Sequence, residues 1–163
     1  MLAEFWGTKS TLMQIKTQPA LNFLCVRFET TVATMMEKAA PYVPQLLQEI
    51  LDQKLRLCGP VYWNYFGFEG DESKPFDLEV AIPVNAVTGD YHGRFSYRRS
   101  EPFRCVEAVH EGTWASIPET YGKLFAFIGQ NRLIPTGENR ECYINADFEF
   151  PEANQTIIRI GIQ

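Results

Sequence analysis

The segment Tyr42–Leu55, YVPQLLQEILDQKL, has a counterpart in Thr120–Leu133, TYGKLFAFIGQNRL. The two lie 78 residues apart (120 − 42), and at this offset Leu46 matches Leu124, Ile50 matches Ile128 and Leu55 matches Leu133. The same offset matches Gly59 with Gly137, Tyr65 with Tyr143, and Val80, Ile82 and Val84 with Ile158, Ile160 and Ile162. It also matches Glu29 with Glu107, all without a gap. A helix pattern, a glycine, a tyrosine and a strand pattern recur in one order, which marks an internal duplication.

Each half reads alike. A strand comes first, LNFLCVRFET in one half and EPFRCVEAVH in the other. A helix follows, with Leu46, Leu47, Ile50 and Leu51 as its apolar face in the first half and Leu124, Phe125, Phe127 and Ile128 in the second. Pro118 suits a first helical turn, and Pro41 and Pro44 place the stable part of the first helix after them. Gly59 and Gly137 mark turns beyond the helices. Two strands close each half: VYWNYFGF and FDLEVAIPV, then ECYINADF and QTIIRIGI. Strands near TLMQIKTQ and GRFSYRRS precede the halves and are expected to hairpin into them, while GDESKP and NAVTGD read as turns. The expected fold is α+β: duplicated βαββ units related by a pseudo-twofold axis, with antiparallel sheets, two main helices and a central groove. One domain is expected over residues 1–163, with repeat one at about 11–86 and repeat two at about 91–163.

Hydrophobic residues make up 45% and charged residues 21% of the 163, a globular rather than a disordered balance. The net charge of −5 disfavours direct nucleic-acid or membrane-surface binding, both of which need basic patches. No signal peptide and no membrane-spanning run is seen, so a cytoplasmic location is expected. The cysteines Cys25, Cys58, Cys105 and Cys142 are far apart, and the two histidines, His92 and His110, form no ligand motif. They are read as free thiols, with no metal and no cofactor expected.

Aromatics reach 13%, concentrated in GPVYWNYFGF, residues 59–68. Tyr62, Trp63, Tyr65, Phe66 and Phe68 occupy both parities of a strand, more than one core face demands. One face of YWNY is therefore read as core and the other as groove lining. The pseudo-twofold sets Tyr65 opposite Tyr143, with Trp63 and Glu141 in matching positions two residues earlier on each strand.

At this point the sequence resembles the GyrI-like proteins, the effector-binding domain also found behind the DNA-binding parts of bacterial multidrug-responsive regulators. HEGTW, His110 to Trp114, is similar to the family's H-x-G-P-Y, with Thr113 and Trp114 in place of Pro and Tyr. Gly137, then Glu141-Cys142-Tyr143, then TIIRIGI follow the family's glycine, Glu-x-Tyr and final strand; GPVYWNY and FDLEVAIPV resemble its G-P-x-x-x-x-Y and E-V-x-x-P-V. The resemblance covers roughly residues 12 to 163. It implies the same duplicated fold and a central pocket for bulky, often cationic aromatic compounds, with the Glu of Glu-x-Tyr at its base. Some members bind and inhibit DNA gyrase, and some stand-alone members resemble hydrolases that open cyclopropane rings of DNA-alkylating compounds. Too few residues precede the repeats for a helix-turn-helix, so a stand-alone member is expected.

The candidate ligand-binding residues are Trp63, Tyr65, Trp114, Glu141 and Tyr143. The leading expectation is drug or effector sequestration, a desolvated Glu141 being compensated by a delocalised cation stacked on the aromatics. The alternative is a cyclopropanoid hydrolase in the same pocket, with Glu141 as general base and Tyr143 or Tyr65 stabilising the oxyanion. A gyrase inhibitor is a third reading. The competing reading of Glu141 is a solvated strand residue paired with Arg140 or a lysine. His110 is read as a hydrogen-bonded turn residue, and Cys142 as core. Glu29, Asp77 and Glu79 are read as solvated, with Glu79 the one able to add negative potential at a groove mouth.

Overall fold

The structure is a computed structural model, described here for residues 12–86 and 90–163. Residue 11 of the strand expected at TLMQIKTQ, and residues 87–89 of the turn expected at NAVTGD, lie outside the described residues. Eight strands form one antiparallel sheet: β1 (Gln14–Gln18), β2 (Asn22–Thr30), β3 (Tyr62–Phe66), β4 (Phe76–Pro83), β5 (Ser96–Arg99), β6 (Phe103–Glu111), β7 (Pro135–Asn145) and β8 (Gln155–Ile162). Their order is β1-β6-β8-β7-β3-β4-β2-β5. The helices are α1 (Met35–Ala39), α2 (Tyr42–Asp52) and α3 (Ile117–Gln130). The fold is α+β with two main helices, as the sequence implies.

The duplication is visible in the register. At the centre β3 pairs with β7, and Trp63 stands directly across from Glu141, its own repeat mate 78 residues on. Trp63 pairs with Val80 on one side as Glu141 pairs with Ile158 on the other. Both main helices end the same way. Lys54 and Arg132, again 78 apart, take left-handed φ values of 54° and 55°. The next amide in each, Leu55 N and Leu133 N, bonds back to Ile50 O and Ile128 O. This is the hydrogen-bonded, left-handed helix stop usually given to glycine.

The repeat is not gapless. Cys25 pairs with Ala81, whereas Arg159, the mate of Ala81, pairs with Glu107. Cys25 therefore corresponds to Glu107, a separation of 107 − 25, or 82, and the expected match of Glu29 with Glu107 slips by four residues. The outer strands also depart from expectation. β1 pairs with β6 and β5 pairs with β2, so each joins the half it does not precede. The linkers explain this. Pro19 and Pro102 bias Gln18 and Glu101 toward extended backbone, against a tight turn. The two linkers run past each other instead, bonded through Ser100 N to Leu21 O and Leu21 N to Ser100 Oγ.

The helices cover one face of the sheet. α2 packs on β2 and β4, and α3 on β6 and β8, so β3 and β7 lie between them at the floor of a trough. Leu46 and Ile50 of α2 and Leu124 and Ile128 of α3 are buried, while Leu47, Leu51 and Phe125, expected on the apolar faces, are exposed. The duplicated glycines serve different ends. Gly137 sits at φ +87° beside a register shift in β7, whereas a Cβ at Gly59 would crowd Pro83 at 3.1 Å. β7 also begins six residues before the strand expected at Glu141.

The opposite face holds Phe23, Cys25, Tyr62, Ala81 and Cys142 as a second small core. β3 is thus buried on both faces, which accounts for its aromatics on both parities. Glu79, expected in solvent or at a groove mouth, lies on this face. It is 2% exposed and bonded by Arg98 Nε at 2.8 Å and Asn64 Nδ2 at 2.8 Å. Strand alternation decides this: Leu78 and Val80 face the helices, so Glu79 cannot. Glu29 is exposed, and Asp77 pairs with Arg27 at the surface. No helix among the described residues is long and apolar enough to cross a membrane.

Candidate functional site

The trough floor is built by the central strand pair. β3 presents Trp63 and Tyr65 to the helix side, and β7 presents Glu141 and Tyr143. Because the pairing is antiparallel and centred on Trp63 and Glu141, the two tyrosines flank that pair from opposite ends. Both converge on one carboxylate oxygen: Tyr65 Oη donates to Glu141 Oε2 at 3.0 Å and Tyr143 Oη at 2.6 Å. Glu141 is 5% exposed. It is not the solvated residue of the competing reading, and its hydrogen bonds come from neither Arg140 nor a lysine. Arg140 points to the other face, to Glu138 and Gln18.

A third hydroxyl, absent from the expected set, completes the cluster. Tyr121 Oη of α3 donates to Glu141 Oε1 at 3.0 Å. A signal for it exists in the sequence: Ile117, Tyr121, Leu124 and Ile128 share the helix stripe that faces the sheet. A tyrosine on a buried stripe needs a partner for its hydroxyl. Its repeat mate is Val43, so the pseudo-twofold is broken here, and the carboxylate draws its third donor from one half alone.

Aromatic rings wall the carboxylate. Trp63 and Trp114 each meet Tyr143 edge to face, with centroids 5.7 Å apart, and Phe148 meets Trp114 at 5.2 Å. Trp114 stands on a short turn of 3-10 helix, Trp114–Ser116, and touches the cluster through Tyr143. Its indole N–H is buried without a hydrogen-bond partner among the described residues. The turn carrying Trp114 is fixed by His110, whose Nδ1 bonds Thr120 Oγ1 at 2.8 Å and whose Nε2 bonds Thr113 O at 2.9 Å. Cys142 is buried on the opposite face beside Tyr62.

Electrostatics follow from burial. Desolvation pushes the Glu141 pKa above the usual carboxylate value, and the hydroxyls of Tyr143, Tyr121 and Tyr65 pull it partly back. The same burial, with the carboxylate beside them, holds Tyr65, Tyr121 and Tyr143 well above the ordinary phenol pKa. The arrangement can hold a cation against a ringed carboxylate, or take a proton. Among the described residues no group of three His, Cys, Asp or Glu is placed to hold a metal ion.

Comparison with known proteins gives one family. The family model described as the GyrI-like small molecule binding domain matches residues 12–163. No curated protein matches the sequence. Among solved structures, the fold resembles the C-terminal domain of EcmrR at 20% identity and a TM-score of 0.78, over 94% of this chain and 98% of that one. It resembles a hydrolase encoded by lin2189 from Listeria innocua at 18% identity and a TM-score of 0.62, over 93% and 91%. It also resembles SAV2435 bound to tetraphenylphosphonium, at 12% identity and a TM-score of 0.61, over 94% of both chains. At these identities the likeness is one of fold.

Proposed function

This chain belongs to the GyrI-like small molecule binding domain family, and from that premise we propose that the trough over β3 and β7 captures bulky aromatic cations, with Glu141 as the counter-charge. The observation that carries this is a contrast among buried acids. Glu49, Glu79 and Glu107 each pair with an arginine or lysine. Glu141 is held by three tyrosines instead. A buried carboxylate without a basic partner carries a desolvation cost that a bound cation offsets. Trp63, Tyr65, Trp114 and Tyr143 would offer ring faces to that cation, each cation–π contact contributing about 0.5–2 kcal/mol when desolvated. Together with the carboxylate these support micromolar binding, about −8 kcal/mol. A ligand acceptor near Trp114 Nε1 would also satisfy its unpaired donor.

The test is a tryptophan-fluorescence titration with tetraphenylphosphonium, the lipophilic cation bound in the SAV2435 structure. Wild type is expected to bind in the micromolar range, and Glu141→Gln to lose about tenfold, roughly 1.4 kcal/mol. Equal binding by both proteins, or none by either, sinks the reading.

One observation favours a second reading, hydrolysis of a cyclopropane-bearing alkylator. A carboxylate of raised pKa beside phenol hydroxyls is suited to proton transfer. Glu141 would take a proton from water as the water oxygen bonds the strained ring carbon. The breaking ring bond would pass its electrons into the conjugated system, ending on an oxygen stabilised by the hydroxyl of Tyr65 or Tyr143. Mass spectrometry of the recovered compound separates the readings: capture returns it unchanged, turnover returns it with one added water.

A further inference from the structure

On the sheet face away from the helices, a cavity of about 310 Å3 opens beside β1, with Lys16, Gln18, Tyr62, Glu107 and Arg159 among its lining. Its polar groups are unbalanced. Glu107 is 9% exposed, and both of its oxygens are taken, Oε1 by Lys16 Nζ at 2.8 Å and Oε2 by Arg159 Nε at 2.7 Å. The Tyr62 hydroxyl accepts twice, from Gln18 Nε2 at 3.0 Å and from Arg159 Nη1 at 3.5 Å. A hydroxyl that accepts twice keeps its own proton to give. The Cys142 sulfur, in the same buried cluster, is a weak acceptor that a carboxylate oxygen outcompetes. Arg159 Nη2 and two of the three Lys16 N–H groups are not used in these bonds. The cavity thus offers several donors and two cations, against one acid that is already saturated.

We propose that this cavity is a second ligand site, for a small monocarboxylate with an apolar body. The ligand carboxylate would accept from Tyr62, Arg159 and Lys16, and its apolar part would lie on Pro19, Leu21 and the Tyr62 ring. The volume is at the lower end of small-molecule pockets. Glu107 in the same wall repels a second negative charge, which disfavours phosphate dianions relative to a carboxylate. Strand alternation separates the site from the trough: Tyr62 and its neighbour Trp63 leave β3 on opposite faces, as do Cys142 and Glu141 on β7. The two ligands therefore need not compete.

The test is a titration of the full chain with benzoate, followed by amide chemical shifts, for wild type, Lys16→Gln and Tyr62→Phe, with thermal unfolding as the check that each variant folds. Saturable shifts centred on β1, Tyr62 and Arg159 are expected, with affinity falling about tenfold in each variant, the worth of a hydrogen bond to a charged group. Inorganic phosphate is expected to compete poorly. Unsaturable shifts at millimolar benzoate, shifts centred on Trp63 and Glu141, wild-type affinity in either variant, or phosphate binding as tightly as benzoate would each overturn the proposal.

Discussion

Trp63 and Glu141 are direct cross-strand partners and are also each other's repeat mates. A residue can pair with its own duplicate only where the pseudo-twofold axis passes between them. The axis therefore runs through the site, and the tyrosines on either side, Tyr65 and Tyr143, reach the same carboxylate oxygen as a symmetric pair. The duplication supplied the two flanking hydroxyls; the Trp63/Glu141 difference made the centre acidic on one side and aromatic on the other.

Burial holds the Glu141 pKa above its ordinary 4.5, so the folded protein keeps this proton more readily than the unfolded chain does. Stability from this group is complete below that ordinary value and is lost as pH rises through the folded pKa. Glu141→Gln removes the penalty. The variant is expected to exceed wild type in urea midpoint at neutral pH, with the gap closing in acid. A variant less stable than wild type at neutral pH would contradict the assigned cost of burying this charge.

Tyr121 supplies a hydrogen bond that favours the ionised carboxylate. In Tyr121→Phe the Glu141 pKa is expected to climb further, and the pH midpoint for tetraphenylphosphonium binding with it. Affinity at neutral pH should fall by about 1.5 kcal/mol, roughly tenfold. An unchanged binding midpoint would show that the hydroxyl does not tune the acid.

The matching helix ends make a prediction about stability alone. Lys54 and Arg132 hold left-handed φ values that glycine adopts without strain. Lys54→Gly and Arg132→Gly should each gain about 0.5–1 kcal/mol in denaturant unfolding. The gains should add, because Leu55 and Leu133, which follow these stops, pack into different core clusters. Loss of stability in either variant would count against the helix-stop assignment.

On the far face, burial would raise the Glu79 pKa, but hydrogen bonds from Arg98 and Asn64 outweigh it and hold the carboxyl below its usual value. The stability Glu79 contributes is thus present above about pH 4.5 and lost as pH falls through the folded pKa. Arg98→Met leaves the acid buried without its cation. It should cost about 2–3 kcal/mol, near the low end for a broken buried pair because the arginine is 32% exposed. The variant should also lose the acid-sensitive part of the stability profile. A loss within a few tenths of a kcal/mol would mean that the pair is solvated in practice.

Much of the architecture was legible because its signals are local. The apolar spacing around Leu46 and Leu124 marked both helices, and the alternation in FDLEVAIPV and QTIIRIGI marked the closing strands. The offset of 78 matched Trp63 with Glu141 and Tyr65 with Tyr143 as repeat mates, but not the strand register, which sets Trp63 across from Glu141 and Tyr65 across from Asn139 rather than opposite Tyr143. His110 also behaves as its turn context implied.

What the tertiary structure decided was which distant segments meet. The exchange of β1 and β5 between halves depends on linkers that pass each other, and no residue within either strand encodes the partner's identity. The four-residue slip of β6 was invisible because strand alternation repeats every two residues, so shifts of two or four preserve the same face. Glu79 went to the buried face because Leu78 and Val80 claimed the other, and Arg98, from an exchanged strand, made that burial tolerable. Tyr121 reached Glu141 because α3 packs over the trough edge, a distance in space that spacing along the chain does not measure. Periodicity and turn chemistry act over a few residues and can be read from them. A buried carboxylate ringed by hydroxyls from two strands and a helix is a property of the packing, and exists only once the chain has folded.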